Sequence, residues 1–93
     1  MFLICLGHGA YFADNPGKSH GYTAVDAANK NSRVMFYNKV LLGNPWILTA
    51  ADNKLVSAPR GYHSVVGRHS HLTEYIIYRY GQALPYLKII YTA

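Results

Sequence analysis

Near the end of the chain the sequence reads EYIIYRY (residues 74–80), and Gly81 follows it. β-Branched and aromatic residues dominate this stretch, and these residue types favour strands. Two other stretches have the same character, MFYNKVLL (residues 35–42) and YLKIIY (residues 86–91). Because apolar residues run through each stretch with little interruption, we predict three strands, at residues 75–80, 35–42 and 86–91, that lie buried in the middle of a sheet.

The rest of the chain predicts little helix. Residues 19–25 allow one or two helical turns, since the preceding Asn15-Pro16 is typical of a helix start. Residues 9–13 predict a short strand after a glycine-rich turn. Residues 44–73 are longer than an ordinary connection, so we expect short elements or a functional loop there. The predicted fold class is α+β, mostly β, with strands for only part of a sheet.

The chain is short and basic. Its 93 residues fit one small domain, and only 14% of them are charged, against about 25% in an average soluble domain. Nine Lys and Arg residues against four acids give a net charge of +5, which favours anionic partners. The low charge excludes a coiled coil. The single cysteine, Cys5, excludes an internal disulfide and a Cys-rich zinc site, and it favours a reducing, intracellular compartment.

Glu74 is the only glutamate of the chain. On composition alone, a solvated surface residue is the simpler interpretation of this side chain. The strand predicted after Glu74 should be buried, however, and it would place the carboxylate at the mouth of a buried strand. The alternative interpretation is that a carboxylate in this position belongs to an active site.

Other chemistries receive weaker support from the residues. His63, His69 and His71 suggest a metal site, but a His-x-His spacing in a loop is a weak signal. Nine tyrosines among scattered basic residues suggest base stacking on a sheet, although the same rings also suit a β core with hydroxyls at its rim. The sequence has neither a Gly-x-Ser-x-Gly elbow nor a P-loop. The residues alone therefore indicate a small, basic, β-rich domain.

Six segments of the sequence resemble the poly(ADP-ribose) polymerase family, in the family's order and over nearly the whole chain. They are GHGAYFAD (7–14), GKSHGY (17–22), VLLGN (40–44), APRGYHSVVGR (58–68), EYIIY (74–78) and QALPYL (82–87). The last segment resembles the tankyrase branch most. The resemblance implies an ADP-ribosyltransferase fold and NAD as the co-substrate.

The resemblance also implies roles for individual residues. Tyr11 and Tyr22 match the two tyrosines that stack on the nicotinamide ring, and Ser19 matches the serine that holds the carboxamide. Lys18 matches a lysine that lines the site, and Glu74 matches the catalytic glutamate, which contacts the ribose 2′-hydroxyl. The implied NAD-binding set is Gly9, Tyr11, Phe12, Ala13, Lys18, Ser19 and Tyr22, with no metal ligand.

The sequence also departs from the family pattern. The family's first triad residue, a histidine in a His-Gly-[Ser/Thr] motif, belongs to the first half of the catalytic domain, and His8 does not match it. Residues 23–34 contain neither Cys nor His, whereas tankyrases carry a zinc-binding insert there. The stretch before Glu74 is short, which leaves the acceptor loop abbreviated. The first six residues do not resemble the family's approach to the glycine turn, so we expect a misplaced or alternative start.

These observations predict that residues 1–93 are the C-terminal part of a poly(ADP-ribose) polymerase-type catalytic domain. The predicted function is NAD-dependent transfer of ADP-ribose to protein acceptors, with little activity from this part alone. The alternative is a non-catalytic basic module that binds protein or nucleic acid. We expect an intracellular protein, cytoplasmic or nuclear, without a membrane span; its oligomeric state and whether its product is a polymer stay open.

Overall fold

The computed structural model describes residues 1–6, 8–49, 56–69 and 72–92. Its strands are β1 (Phe2–Leu6), β2 (Ala10–Ala13), β3 (Arg33–Val40), β4 (Pro45–Leu48), β5 (Ser64–His69), β6 (Leu72–Ile77) and β7 (Ala83–Tyr91). One α-helix, α1 (Pro16–His20), follows β2, and 3₁₀ turns span Ala27–Asn29 and Tyr80–Gln82. No helix of the described ranges is both long enough and apolar enough to cross a membrane.

The strands form one sheet in the order β4-β5-β6-β2-β1-β3-β7. Neighbouring strands run antiparallel except β4 and β5, which are parallel, so the sheet is mixed. Chain neighbours β1 and β2 are paired, but β2 and β6 come from distant parts of the sequence. The structure confirms the predicted class, which is mostly β with little helix.

The prediction of three buried central strands is wrong for the last of them, and β3 is central but only partly buried, with Phe36 40% exposed. β7 lies at the end of the sheet and pairs with β3 in the described structure. Its side chains at Leu84, Tyr86, Leu87 and Ile90 are exposed. An apolar run predicts that the side chains of a strand will be buried. It does not indicate whether residues of the same chain or of another protein segment bury them.

Several boundaries also differ from the predictions. The strand expected at residues 35–42 begins and ends two residues earlier, and the one expected at 75–80 ends at Ile77 because Tyr80 opens a 3₁₀ turn. The helix expected at 19–25 lies at Pro16–His20 instead, since its N-cap Asn15 accepts a bond from the Gly17 amide. β1, β4 and β5 were not predicted; they are short or lie within the long connection.

The core lies around the middle strands. Phe12 and Val65 are the largest hydrophobic side chains that are almost fully buried, and Ile4, Ile76 and Ile77 are also buried. These residues come from β1, β2, β5 and β6, which are neighbours in the sheet. Burial of one large apolar side chain stabilises the folded state by about 1.5–3 kcal/mol. The central strands therefore form a stable base for the side chains on their surfaces.

Candidate functional site

The β2–β6 ladder brings two of the predicted site residues to one face of the sheet. Tyr11 of β2 lies directly opposite Ile76 of β6. Side chains alternate between the two faces along a strand, so Glu74, two residues before Ile76, projects from the same face as Tyr11. Glu74 is the third residue of β6 rather than the residue at its head, as the sequence had suggested. The carboxylate therefore rises from the sheet itself, where backbone pairing with Gly67 of β5 fixes its base.

Helix α1 adds Lys18, another of the predicted residues, to this face. Asn15 caps the helix and Pro16 occupies its first turn, so the chain turns back over the sheet directly after β2. Within the helix, the Lys18 ammonium lies 3.0 Å from Oε1 of Glu74. The two side chains are only 17% and 22% exposed, so this ion pair is largely shielded from solvent. The structure thus brings Lys18 and Glu74 into direct contact.

Ser19 is held beneath the helix. Its side chain is 1% exposed, and its hydroxyl donates a 2.7 Å hydrogen bond to the carbonyl oxygen of Leu3 in β1. This bond ties α1 to the strand beside β2. It also engages the hydroxyl proton that the resemblance assigns to the nicotinamide carboxamide, so the serine is a structural anchor in this conformation.

The two tyrosines differ in their surroundings. Tyr11 is partly buried within β2, where the ladder fixes its position. Tyr22 follows α1, with its backbone amide bonded to the Ser19 carbonyl and its side chain 56% exposed. The exposed ring of Tyr22 leaves apolar surface that a flat ligand would cover.

Gly9, Phe12 and Ala13 are placed as packing residues. A Cβ at Gly9 would lie 2.8 Å from the carbonyl oxygen of Ile77, so glycine lets the start of β2 approach β6 closely. Phe12 is 2% exposed and projects from the face opposite Tyr11, and Ala13 is also buried. Any contact of these three residues with a ligand would have to use their backbone atoms.

A second polar contact borders the β2–β6 ladder and was not predicted from the sequence. The Tyr75 hydroxyl donates to a carboxylate oxygen of Asp14 at 3.2 Å. The pKa of Tyr75 is raised from its usual value of 10.0, first by desolvation, then by the charge of Asp14 and by their hydrogen bond, while Arg68 lowers it. In the sequence, Tyr75 directly follows Glu74 and Asp14 directly follows Ala13. No other feature of the sequence indicates that Tyr75 and Asp14 make contact.

The metal alternative falls partly outside the described residues. His71 is not described, and nothing is said of the His69 side chain. Among the residues that the structure describes, no three His, Cys, Asp or Glu side chains cluster as metal ligands. His63 instead accepts a hydrogen bond at Nδ1 from the Asn44 amide.

The described contacts bring the Glu74 carboxylate, the Lys18 ammonium and Tyr11 to one face of the sheet. A carboxylate there can accept a hydrogen bond, and an aromatic ring can stack on a flat group. Because each comes from a fixed element — β6, β2 or α1 — the arrangement is defined before any ligand arrives. The sequence motifs named these residues, whereas the ion pair and the Leu3 carbonyl emerge only from the fold.

Comparison with known proteins shows which family the chain resembles. Residues 3–92 match the family described as the poly(ADP-ribose) polymerase catalytic domain. The chain is 38% identical over 64 residues to protein mono-ADP-ribosyltransferase PARP3 of Mus musculus, which covers 68% of this chain and 12% of that protein. It is 38% identical over 60 residues to the PARP3 protein of Gallus gallus, covering 64% of this chain and 11% of that one.

These relatives correct one expectation from the sequence. PARP3 is a different branch of the family from the tankyrases, so the assignment to the tankyrase branch is not supported. The short segment QALPYL, on which that assignment depended, lies mostly in the exposed edge strand β7. The chain spans about an eighth of the length of the two relatives.

Proposed function

The chain belongs to the poly(ADP-ribose) polymerase catalytic domain family. On this premise we propose that it takes part in the NAD-dependent transfer of ADP-ribose to protein. The observation that carries the proposal is the position of Glu74. This carboxylate projects from the same sheet face as Tyr11 and contacts Lys18, the residue before Ser19. The contact of Glu74 with Lys18, and its shared face with Tyr11, support the roles that the family motif implies for these residues.

Each residue has a distinct role in the proposal. The rings of Tyr11 and Tyr22 hold the nicotinamide ring between them by stacking. Glu74 accepts a hydrogen bond from a ribose hydroxyl, and Lys18 holds the Glu74 side chain in place through the bond to Oε1. The Tyr22 side chain is 56% exposed, and the Tyr11 backbone is held by its pairing with β6.

The chemistry explains why a carboxylate is needed. The bond between the nicotinamide nitrogen and the ribose carbon breaks with both electrons leaving on nicotinamide, so positive charge grows on the ribose. A carboxylate bonded to that ribose interacts more strongly as the charge grows, which selectively stabilises the transition state. An acceptor side chain of the protein substrate then forms the new bond to the ribose carbon and releases its proton.

Ser19 sets a condition on binding. Its hydroxyl donates to the Leu3 carbonyl and is almost fully buried. To donate to a carboxamide instead, the hydroxyl must give up Leu3, and β1 or the serine rotamer must shift. We therefore propose that NAD binding to this chain alone is weak, because part of the interaction energy is used to break this hydrogen bond.

We also propose that the chain is the C-terminal part of a larger catalytic domain, whose first half supplies the adenosine-side contacts and the family's triad histidine. Two observations support this. The chain matches only about 12% of the mouse relative, and the edge strand β7 exposes Leu84, Tyr86, Leu87 and Ile90. Contiguous exposed apolar side chains of this kind mark a surface that another part of a protein covers.

The product proposed is a single ADP-ribose unit on a protein acceptor. The two relatives carry the name mono-ADP-ribosyltransferase, and this proposal extends that property to the chain. Glu74 by itself is compatible with elongation as well, so the product must be measured. An intracellular location belongs to the same proposal and is supported by the lone cysteine.

A chimera tests the proposal without relying on the activity of the chain alone. The matching segment of the mouse relative is replaced by this chain, and label transfer from NAD to protein is measured. The chimera is expected to transfer single units, and Glu74→Gln should reduce the rate by about 10²–10³-fold, the effect of losing a key electrostatic group. Asp26→Asn, on the exposed turn before the Ala27–Asn29 helix, is the matched control. A Glu74→Gln chimera that keeps its full rate would overturn the proposal.

A further inference from the structure

A cavity of about 420 Å³ lies among three connecting segments, those that follow β3, precede β5 and follow β6. Residues on its wall include Leu41, Tyr62, His63, Tyr78 and Arg79. Tyr78 and Arg79 follow β6 directly, so the cavity is separated from Glu74 by four to five residues of chain, about 15 Å if extended. It is thus a different place from the proposed catalytic face.

The wall of this cavity is rigid. The Asn44 amide donates to Nδ1 of His63 at 2.8 Å, and the Asn44 carbonyl accepts from the His63 amide at 2.9 Å. Gly43 has a positive φ of 59°, and a Cβ there would lie 2.6–2.7 Å from atoms of His63, so glycine is required for this packing. The Gln82 side chain donates to the carbonyls of both Leu41 and His63. Three separate chain segments are locked together around the cavity.

The polar groups of the wall include several hydrogen-bond donors. A backbone amide can only donate, so Nδ1 of His63 accepts and the proton of the neutral ring sits on Nε2. Ser57 adds a hydroxyl, and Arg79 adds an exposed guanidinium. Within the described residues, no acidic side chain forms an ion pair with Arg79. The cavity therefore combines a positive charge with neutral donors, which suits an anion.

The remaining wall is apolar and aromatic. Leu41 and Val56 are 58% and 62% exposed beside the cavity, and the rings of Tyr62 and Tyr78 line it. Tyr62 is itself held edge-on by Trp46, with ring centroids 4.9 Å apart. A ligand body that is flat and apolar would cover these groups. The volume is within the range of about 300–1,000 Å³ that is typical of small-molecule sites.

From these observations we propose that this cavity binds a small organic phosphate, a phosphate monoester carried on a flat ring. The phosphate is favoured over a carboxylate because the donors are of three kinds and face the cavity from the connection before β5 (Ser57, His63) and from the segment after β6 (Arg79). Three terminal oxygens can accept from three directions, whereas a carboxylate offers two. The site is independent of the NAD site proposed above, and neither proposal depends on the other.

Phenyl phosphate is a suitable probe, and Trp46 supplies a signal because it is the only tryptophan and contacts Tyr62. We expect a saturable change of Trp46 fluorescence with phenyl phosphate. Phenol and inorganic phosphate, each carrying one half of the probe, should bind at least about tenfold more weakly. Amide NMR shifts on binding should fall at residues 41–44 and 78–82.

Two variants make the test specific. Arg79→Gln keeps the length of the side chain but removes the charge, and should weaken binding about tenfold or more. Leu41→Glu places a negative charge on the apolar wall and should abolish binding. Lys88→Gln, an equal charge loss on β7, should leave the affinity within about twofold, since exposed charges contribute little at a distance. Circular dichroism verifies that each variant is folded.

Three outcomes would overturn the proposal. One is the absence of a saturable signal from wild-type chain. Another is equal binding by wild type and Arg79→Gln. The third is a set of NMR shifts centred on residues 8–10 or on residues 11–22 and 74, because the ligand would then occupy the neighbouring cavity at His8 or the catalytic face.

Discussion

The β2–β6 ladder and the β3–β7 ladder belong to the same sheet but use their side chains in opposite ways. On the β2–β6 ladder, Phe12 and Ile77 are buried, and one face carries the shielded Lys18–Glu74 pair. The β3–β7 ladder is longer, with eight paired positions, yet most side chains of β7 are exposed. Backbone pairing alone therefore does not decide where the protein buries its apolar residues.

This difference indicates which part of the sheet can hold functional side chains in a fixed geometry. A charged pair and a buried hydroxyl keep a fixed geometry only where the strands beneath them are packed, as they are under α1. The β3–β7 end has regular hydrogen bonding but lacks cover for its apolar side chains within the described structure. We infer that the first region carries the site, and that the second is a surface for contact with more protein.

The largest effect should come from the matched pair Phe12→Ala and Phe36→Ala. Phe12 is 2% exposed in β2, and Phe36 is 40% exposed in β3. Phe12→Ala should lower the free energy of unfolding by about 3–5 kcal/mol, and Phe36→Ala by about 1–2 kcal/mol. Urea unfolding measures both, with Phe12→Leu as a milder change if Phe12→Ala does not fold. Equal losses at the two positions would contradict the contrast between the ladders.

A second pair separates stability from binding. Ser19 and Ser64 are both buried, and each hydroxyl donates a 2.7 Å hydrogen bond to a backbone carbonyl, of Leu3 and of Leu42. Each Ser→Ala change should lower the free energy of unfolding by about 1–3 kcal/mol, because a buried carbonyl loses its donor. Only Ser19→Ala should also weaken nicotinamide binding, which a calorimetric titration would detect. If Ser64→Ala weakens binding equally, Ser19 has no special role.

The Lys18–Glu74 pair should have a smaller effect on stability. A double-mutant cycle with Lys18→Gln and Glu74→Gln measures the coupling, which we expect to be about 1 kcal/mol for a pair that is partly shielded. A coupling of this size would show that Glu74→Gln changes the free energy of unfolding only slightly. Its much larger expected effect is on the rate of ADP-ribose transfer. A coupling near zero would mean that Lys18 does not position the carboxylate.

The smallest effect should come from the pH dependence of Tyr75. Its pKa is raised above 10.0, first by desolvation and then by Asp14, so the folded state favours the neutral phenol. The stability that this provides is present below about pH 10 and is lost as the pH rises through the folded pKa. Wild type should therefore lose more stability than Tyr75→Phe on going above pH 10 in denaturant titrations. Parallel pH profiles for the two proteins would contradict the assignment.

Much of the catalytic face could be predicted from sequence because its motifs are local. Lys18, Ser19 and Tyr22 lie within one turn of α1 or just after it, and Glu74 opens the recognisable EYIIY stretch. Strand propensity located β3 and β6 to within three residues of their true starts. The family resemblance supplied the roles, which no spacing in this chain would have indicated.

What could not be predicted depends on contacts between distant residues. The bond from Ser19 to Leu3 depends on β1 lying beside α1, although the two residues are 16 positions apart in the sequence. The ion pair of Lys18 with Glu74 depends on β2 and β6 becoming neighbours. The exposure of β7 depends on its place at the end of the strand order, which an apolar sequence does not encode.

The most direct test of the central claim is an NMR titration of the ¹⁵N-labelled chain with NAD. We predict weak binding, with shifts at Tyr11, at residues 18–22 and at Glu74, and with β7 unchanged. The same residues should stop responding in Ser19→Ala. Shifts confined to β3 and β7, or no shifts at any NAD concentration, would contradict the central claim. That claim is that the β2–β6 face with α1 is the nicotinamide end of an NAD site.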